Sequence, residues 1–331
     1  MLKFAIIGAG MAGAGVARTL SDAGHRVTVF DKSRGAGGRM ATRRVDLGGK
    51  ELTFDHGAQW TSAHDKAYGA FLERSVNAGH GAPWPASGTP DAVVGMPAMN
   101  VLVRGALGSI PARYGFTLNA MERRAGGWHL TAKEGAFDEL FDAVVLAVPA
   151  PQLVPLVEDH NSSFADFAGR ARYEPCWAAM LAFEDDWSSA LTKIPHDALA
   201  SHDIAWVAHD GGKPGRIGAT LLAHMSGVWS TQNLERERED IAAELAATIA
   251  QNLSLPPPLW VRAHRWRYSR VVEVARPDKA FCVDAMIGVA GDWTAGVDVE
   301  AAYLSGLRCA DGILSELGAG AGDGRAGSRT P

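Results

Sequence analysis

The sequence predicts an α/β protein built on a parallel β-sheet, and the pattern of its first thirty residues carries this prediction. Residues 3–7 are a short apolar run that ends at a glycine cluster, and residues 12–23 have the spacing of a helix closed by Gly24. Residues 26–30 form a second short run that is typical of a strand. The order of strand, glycine turn, helix and strand is that of a βαβ unit, in which the two strands are parallel.

The glycine cluster after the first strand has the spacing of a dinucleotide-binding turn. Residues 8–13 read Gly-Ala-Gly-Met-Ala-Gly. In a Rossmann-type unit the first glycine permits the tight turn, the second lets the backbone approach the pyrophosphate, and the third lets helix and sheet pack closely. The helix N-terminus faces the phosphate charge, and an acid after the second strand bonds the ribose. The cofactor-binding residues predicted here are Gly8, Gly10, Met11, Ala12, Gly13, Asp31 and Lys32.

A second glycine cluster decides which dinucleotide is bound. Residues 37–40 read Gly-Gly-Arg-Met and follow the second strand closely. In flavoproteins with two dinucleotide-binding folds, such a segment brings another backbone turn and a guanidinium to the diphosphate, whereas a plain NAD dehydrogenase has no need of it. The sequence therefore predicts FAD as the cofactor, with Gly38, Arg39 and Met40 among the residues that bind it.

The rest of the chain divides into further short segments. Residues 117–123, 128–133 and 143–146 are separated by glycines and predict a three-stranded β-meander. Strands are predicted over 178–183, 216–223 and 286–290, and helices over 238–252 and 299–317.

The predicted architecture is a Rossmann-type FAD domain with a β-meander, joined to a substrate domain with a mixed sheet. The FAD domain is predicted over residues 1–60, 98–150 and 285–317, and the substrate domain over 61–97 and 151–284. Residues 318–331 are rich in Gly, Ala and Ser without periodicity, and we expect them to form a disordered tail.

Composition excludes several classes of function. The net charge of -5 and the dispersed basic residues argue against a nucleic-acid or anionic-membrane partner. No apolar run approaches the ~18 residues of a membrane-spanning helix. The three cysteines form no CxxC pair, which favours a reducing cytoplasm. The eleven histidines show no metal-binding spacing, so no metal site is predicted.

Seven segments together carry a resemblance to one family. They are residues 8–13, 37–40, 54–60 (FDHGAQW), 145–152 (VLAVPAPQ), 213–216 (KPGR), 264–269 (HRWRYS) and 291–306, which opens with Gly-Asp-Trp. Over nearly its whole length the chain resembles the bacterial renalase-like proteins of the flavin amine oxidase superfamily. The first two segments are shared by many flavoproteins, whereas the combination of KPGR with HRWRYS is more particular to renalase-like chains.

The resemblance implies further FAD-binding residues. Asp292 matches the acid that bonds the ribityl chain, and residues 299–300 head the helix whose N-terminus points at the flavin ring. Residues 56–59 match the loop beside the isoalloxazine, and Met121 matches the position that touches the adenine through its backbone. The residues implied in this way are His56, Gly57, Ala58, Met121, Gly291, Asp292, Val299 and Glu300.

The resemblance also implies an activity. A dihydronicotinamide, an isomer of NAD(P)H, would give a hydride to the flavin, and oxygen would be reduced to peroxide. No side-chain base is needed, because the product gains aromaticity. A small-molecule substrate and molecular oxygen are thus the expected partners. The expected catalytic residues, which would line the substrate pocket, are Gln59, Trp60, His264 and Trp266.

Three questions stay open on the sequence alone. An amine oxidase shares the FAD motifs but usually carries a lysine near the flavin, and no such lysine is evident. The second half of the chain has only Lys193, Lys213 and Lys279, and Lys213 lies in a glycine-rich turn predicted to be a surface or phosphate contact. A flavin-binding sensor without turnover is another possible function. Some pocket candidates serve either the substrate or the structure, namely the aromatic residues Trp60, Trp177, Trp206 and Trp266 and the polar residues His209, His264 and Arg267.

Overall fold

The computed structural model describes residues 1–323, which divide into two compact units. The first unit comprises residues 1–38, 106–172 and the described residues from 273 onward, and the second comprises 39–105 and 173–272. These limits differ from the predicted domain limits at residues 39–60, 98–105, 151–172 and 273–284. Residues 39–60 fall in the second unit because Leu52 and Phe54 pack in a cluster with Met180 and Leu222.

The strands follow one another in chain order. They are β1 (Lys3–Ile7), β2 (Arg26–Asp31), β3 (Arg43–Leu47), β4 (Lys50–Phe54), β5 (Gly81–Pro83), β6 (Val93–Gly95), β7 (Ala112–Tyr114), β8 (Leu118–Arg124), β9 (Gly127–Ala132), β10 (Gly135–Phe141), β11 (Ala143–Leu146), β12 (Arg172–Ala182), β13 (Ile204–His209), β14 (Thr220–Met225), β15 (Trp260–Glu273), β16 (Phe281–Cys282) and β17 (Ile287–Val289).

The helices are numbered in the same way. They are α1 (Met11–Asp22), α2 (Lys66–Asn77), α3 (Val101–Leu107), α4 (Ala150–Val157), α5 (Ser162–Arg170), α6 (Ser188–Leu191), α7 (Gly227–Gln232), α8 (Arg238–Asn252) and α9 (Val299–Asp323). Short 3-10 turns cover Gly38–Met40, Asp210–Gly212 and Asp292–Thr294. No helix among the described residues combines the length and the apolar character needed to cross a membrane.

The first unit is built on a six-stranded sheet of order β16-β17-β11-β1-β2-β7. β1 is parallel to both of its neighbours, with Ile6 opposite Val29 on β2 and Val145 on β11. Only β16 at the edge runs antiparallel to its neighbour. The predicted βαβ unit and the parallel sheet are confirmed, and the apolar runs of β1 and β11 are buried, as the central strands of a parallel sheet require.

The β-meander is present, but its predicted third strand is wrong. The three-stranded sheet has the order β10-β9-β8, so the third strand is residues 135–141. Residues 143–146 instead form β11 in the parallel sheet, between β1 and β17. Their four residues are all buried, a pattern typical of a strand covered on both faces rather than of a surface meander.

Helix α9 extends beyond its predicted end. It continues past Leu317 to Asp323, so residues 318–323 are helical and not part of a disordered tail. Residues 324–331, the rest of that predicted tail, lie outside the described residues.

The second unit is built on a four-stranded sheet of order β13-β14-β12-β15. β14 runs antiparallel to both of its neighbours. One face of this sheet packs against α8. The core between them includes Trp177 on β12, Leu221 on β14 and Ile249 on α8. The β3–β4 hairpin contributes to a second, smaller core through Leu52 and Phe54. The strands therefore place alternate side chains in two different environments.

Substitution by alanine should have opposite effects on stability at two glycines of α9. A Cβ at Gly306 would lie 2.3 Å from the backbone oxygen of Ala12 on α1, whereas no atom of the described residues lies within 4 Å of a Cβ at Gly312. We expect Gly306→Ala to lower the melting temperature, because α1 and α9 must separate. Gly312→Ala should raise the free energy of unfolding by up to about 1 kcal/mol, since alanine favours the helix. Thermal unfolding of both variants measures this, and equal effects would contradict the close packing.

Candidate functional site

The predicted dinucleotide turn in the first unit has the geometry that its glycines require. Gly8 has a φ of +114° and donates its N–H to the carbonyl of Phe30 at 2.7 Å. A Cβ on Gly13 would lie 1.9 Å from the backbone oxygen of Gly8. Any larger residue at either position would displace backbone, so the protein's own packing explains these two glycines.

The protein's own packing does not require a glycine at position 10, the middle glycine of the turn. Gly10 has an ordinary φ of -89°, and the nearest atom to a Cβ there would be the Cα of Gly38 at 4.0 Å. Gly10 is also the N-cap of α1, and no side chain caps this helix end within the described residues. The turn therefore leaves open the face on which a pyrophosphate approaches the backbone, and it fits the predicted dinucleotide.

The carboxylate of Asp31 braces this turn from the end of β2. Its Oδ2 accepts the N–H of Ala9 at 2.7 Å, and its Oδ1 accepts the N–H of Ser33 at 2.7 Å. The neighbouring Lys32 is directed elsewhere, since its Nζ donates to Gln152 Oε1 at 3.2 Å. Asp31 therefore shapes the turn as well as standing at the position predicted for a ribose contact.

The second glycine cluster docks against the first. The N–H of Gly37 donates to the carbonyl of Ala9 at 2.9 Å, and a Cβ on Gly38 would lie 3.2 Å from the Cα of Gly10. The two predicted cofactor turns are therefore brought together. Arg39 follows directly, with Nη1 donating to the carbonyl of Ser269 at 3.2 Å, and Met40 is buried.

The remaining predicted residues of the first unit lie on the 3-10 turn at 292–294, at the start of α9, and on β8. Asp292 and Glu300 are both buried, and the N–H of Gly291 donates to Ser305 Oγ at 2.9 Å. Val299 begins α9 and is partly buried. Met121 is buried on β8, and its carbonyl lies 2.9 Å from Nε2 of His160.

In the second unit, three predicted residues meet in a cluster of rings. His56 and Trp266 are stacked, with centroids 5.2 Å apart and an interplanar angle of 25°. His264 meets both rings edge-on, at 4.6 Å from His56 and 4.4 Å from Trp266. Trp266 Nε1 also donates to the carbonyl of His56 at 2.8 Å. The edge-on and stacked contacts are of the kind that fix aromatic rings in place.

Two further rings, on β14 and β13, lie next to the ring cluster. His224 on β14 places Nε2 3.3 Å from the same His56 carbonyl, and Trp206 lies opposite His224 on β13, with ring centroids 6.1 Å apart. Of the tryptophans considered for a pocket wall, Trp266 is thus part of the ring cluster, and Trp206 lies next to it through His224. Trp177 does not contribute to it, because it is fully buried in the core with α8 and donates its Nε1 to the carbonyl of Asn233.

The histidines of the ring cluster are held neutral. Burial lowers the pKa of His56 to about 4, with a further contribution from the Arg43 charge. Burial and the nearby His56 lower the pKa of His264 to about 3, and burial lowers that of His224 to about 4. His56 Nδ1 lies 3.4 Å from the carbonyl of Phe54, so this nitrogen carries the proton and Nε2 is left as an acceptor.

Beside the rings lies a buried group of four charges, here called the charge cluster: Asp55, Asp210, Lys213 and Arg216. None of these side chains has exposed surface. The Nζ of Lys213 lies 2.6 Å from Asp210 Oδ1 and 3.4 Å from Asp55 Oδ2, and Arg216 pairs with the same oxygen of Asp55. Lys213 is therefore not a surface or phosphate contact, and that prediction is wrong.

The surroundings of the charge cluster shift the pKa values of its two carboxyl groups in opposite directions. Burial alone would raise the pKa of Asp55, but Lys213 and Arg216 outweigh it and hold the pKa below its ordinary value. Thr42 Oγ1 and the N–H of Met99 also donate to Asp55 Oδ1, at 2.6 and 3.0 Å. For Asp210, burial dominates and raises the pKa. Asp55, at the end of β4, is thus an anion that binds several elements at once.

Gln59 joins the charge cluster to the loop that carries His56. Its Oε1 accepts a hydrogen bond from Lys213 Nζ at 2.9 Å, and its Nε2 donates to the carbonyls of Asp55 and Gly57. The N–H of Ala58 donates to the carbonyl of Arg39 at 2.9 Å, and Trp60 at the end of the loop is half-buried. Gln59, predicted as a pocket residue, is itself buried and acts on the loop.

Two polar candidates have structural partners. Arg267 is exposed and forms a two-point ion pair with Glu235 at 2.6 and 2.7 Å. The ring of His209 lies 2.8 Å from Thr192 Oγ1 and 3.2 Å from the carbonyl of Gly218. Both therefore have partners within the second unit. Among the described residues, no group of three metal-ligating side chains is placed to hold an ion.

Neither the charge cluster nor the place of His224 could be predicted from the sequence. Asp55 and its partners Asp210, Lys213 and Arg216 are 155 to 161 residues apart. Spacing within a helix or strand cannot indicate such a pairing. The only available signal was that charged residues stand inside the FDHGAQW and KPGR segments, next to residues of a predicted site.

Two family profiles match the chain. Residues 6–74 match a family described as an NAD(P)-binding Rossmann-like domain, and residues 111–314 match one described as flavin containing amine oxidoreductase. The second match covers more than half of the chain. With the two glycine turns, these matches identify FAD as the cofactor and confirm the predicted fold class of a Rossmann-type FAD domain with a second domain.

Solved structures share this fold at low sequence identity. One is a protein provisionally assigned as a protoporphyrinogen oxidase from Exiguobacterium sp. 255-15, with a TM-score of 0.70, 12% identity, and coverage of 95% of this chain and 99% of the other. A triple mutant of putrescine oxidase gives a TM-score of 0.66 at 15% identity, with the same coverage. Cyclohexylamine oxidase from Brevibacterium oxydans IH-35A gives 0.63 at 12% identity, covering 96% and 99%. Identities this low show the fold alone.

The depressed histidine pKa values predict how stability depends on pH. A histidine whose pKa falls from 6.5 to about 4 or 3 on folding stays neutral in the folded chain while the unfolded chain takes up a proton. Stability is then fully present above pH ~6.5 and is lost as the pH falls toward 4. In urea titrations between pH 7.5 and 4.5, we expect His264→Gln to flatten this loss. The same change at exposed His202 should leave it unchanged. An equal slope in both variants would contradict the neutral cluster.

Proposed function

We propose a function from one established premise, that the chain belongs to the family of flavin-containing amine oxidoreductases. The protein is an FAD-dependent oxidase that oxidises a dihydronicotinamide isomeric with NAD(P)H. Bound FAD would supply a two-electron acceptor for the hydride that the substrate loses, and these two electrons, with the hydride's proton and one proton from solvent, would reduce oxygen to hydrogen peroxide. The observation that carries the substrate class is the neutral ring cluster of His56, His264 and Trp266.

The ring cluster suits a flat and uncharged substrate ring. Trp266 and the two histidines offer ring faces and edges that are already fixed against one another, so they hold a planar ring in one orientation. The acceptor Nε2 of His56 suits an N–H donor such as a carboxamide. Hydride loss turns a dihydronicotinamide into an aromatic ring, so the chain need not supply a base, and neutral histidines are sufficient.

The second candidate is an amine oxidase. It is favoured by the buried lysine, Lys213, which lies beside the loop that carries His56. Against it, both carboxylates of the charge cluster are occupied by Lys213 and Arg216. Neither is free to pair with a substrate ammonium. The dihydronicotinamide reading therefore accounts for more of the arrangement.

Two further parts of the proposal concern the surroundings of the reaction. Residues 56–58 are proposed to contact the isoalloxazine, and Gln59 and Trp60 to adjoin the substrate. All three cysteines are free, which fits action in a reducing compartment such as the cytoplasm.

Anaerobic reduction of the flavin tests the proposed substrate. The holoenzyme is mixed with the 2-, 4- and 6-dihydro isomers of nicotinamide nucleotides, with putrescine and with cyclohexylamine, and bleaching of the flavin absorbance is followed. A dihydronicotinamide should bleach the flavin and the amines should not. Bleaching by amines alone would establish the amine oxidase reading. Bleaching by none, with no peroxide formed in air, would leave a flavin-binding protein without turnover and overturn the proposal.

Variants of β15 test whether the ring cluster aligns the substrate. We expect Trp266→Ala to slow bleaching at least about tenfold, because alignment of the reacting ring is lost. His264→Ala should slow it less, since one edge-on contact is removed and the stack of His56 and Trp266 remains. Arg267→Ala is the matched control on the same strand, exposed and paired with Glu235. Unchanged rates in Trp266→Ala would show that the substrate binds elsewhere.

A further inference from the structure

Lys213 is a lysine without access to solvent, and three side-chain oxygens lie close to its ammonium. Its Nζ lies 2.6 Å from Asp210 Oδ1, 2.9 Å from Gln59 Oε1 and 3.4 Å from Asp55 Oδ2. Gln59 and Asp55 accept hydrogen bonds from the ammonium, and Asp210 forms an ion pair with it. The side chain also packs against Trp84, with Nζ 5.2 Å from the ring centroid. Lys213 is thus bound in one position.

The turn that carries Lys213 is itself rigid. A Cβ on Gly211 would lie 1.9 Å from the carbonyl oxygen of Gly218, and one on Gly212 would lie 2.8 Å from Nδ1 of His209. The N–H of Lys213 donates to the carbonyl of Asp210 at 3.2 Å, which closes the turn. The backbone therefore presents the ammonium from a fixed anchor on the second unit's sheet.

Gln59 transmits this position to the loop. While Oε1 accepts from Lys213, its Nε2 donates to the carbonyls of Asp55 and Gly57, which lie on either side of His56. An amide held at its oxygen cannot turn, so both donors stay aimed at those carbonyls. The backbone of His56 is in this way fixed from both sides.

The position of His56 matters because the ring cluster is built around it. Its carbonyl accepts the Nε1 hydrogen of Trp266 at 2.8 Å, and its ring stacks on that of Trp266. A Cβ on Gly57 would lie 3.3 Å from Trp266 Cζ2, so the loop and the tryptophan pack without spare room. A displaced His56 would therefore disturb the rings proposed to align the substrate.

We propose that Lys213 is a positioning residue: through Gln59 it fixes residues 55–60, and with them the place of His56 against Trp266. The ammonium neither meets the substrate nor exchanges protons during the reaction. This inference rests on the proposed function in one respect only, the identity of the reaction that residues 55–60 support. The linkage from Lys213 through Gln59 to the loop stands on the contacts alone.

The test is a double-mutant cycle on the holoenzyme with Lys213→Met, Gln59→Met and the double variant. Hydrogen exchange is followed by mass spectrometry over the peptide containing residues 54–60, where the N–H of Ala58 is bonded to the Arg39 carbonyl. Lys193→Met, the same change at an exposed lysine of the same unit, is the control. Anaerobic bleaching is measured on the same samples to separate the limiting rate from substrate affinity.

Each single variant should speed exchange in residues 54–60 by roughly tenfold relative to peptides distant from the loop in the same sample. Those distant peptides should stay unchanged in Gln59→Met, which keeps all four charges, and in the Lys193 control. The double variant should show no more than the larger single effect, because both changes break one linkage. The limiting bleaching rate should fall more than substrate affinity. Additive effects on exchange, or exchange in 54–60 unchanged in Gln59→Met, would overturn the proposal.

Two features keep the test decisive. If Lys213→Met does not fold, Gln59→Met alone still breaks the linkage and leaves all four charges in place. Exchange is recorded without substrate, so it reports on Lys213 even if no dihydronicotinamide reduces the flavin. Failure of the positioning role and failure of the proposed function therefore give different results.

Discussion

Two carboxylates and two cations without exposed surface compensate one another inside the second unit, in the charge cluster of Asp55, Asp210, Lys213 and Arg216. Removing ions from water costs several kcal/mol each, and close pairing with further hydrogen bonds must offset that cost. The chain meets this requirement by joining the end of β4, the turn before β14 and the backbone at Met99 and Gly95. A segment that left this arrangement would leave a buried charge unpaired.

The site follows from this constraint. Asp55 is the last fixed point before the loop of residues 56–60, and Gln59 fastens that loop to Lys213. The loop then presents His56 to His264 and Trp266, whose rings burial keeps neutral. The dinucleotide turn of the first unit needs none of these contacts. It depends on Gly8 and Gly13, whose missing side chains let the turn close on itself, and on the open face at Gly10.

The features that could be predicted from the sequence are those whose residues lie close together along the chain. The GxGxxG turn and helix α8 were predicted because their signals lie within a few residues of the elements concerned. The third meander strand was misassigned because the short segment at 143–146 does not reveal which sheet it joins. The role of Trp177 was also not readable, since the two faces of β12 are equally apolar in sequence. The charge cluster joins residues more than 150 positions apart, so only the fold could bring it together.

Mutual compensation of buried charges holds the loop of the site in place, and the free energy of unfolding of paired variants shows whether it does. Lys213→Met should cost about 3–5 kcal/mol, because Asp210 would lose its only ion-pair partner in the cluster. Adding Asp210→Asn should recover a large part of that loss, since the unpaired charge is removed. If urea unfolding shows the double variant to be as unstable as the sum of the two single variants, charge compensation is not what stabilises this region, and the account is contradicted.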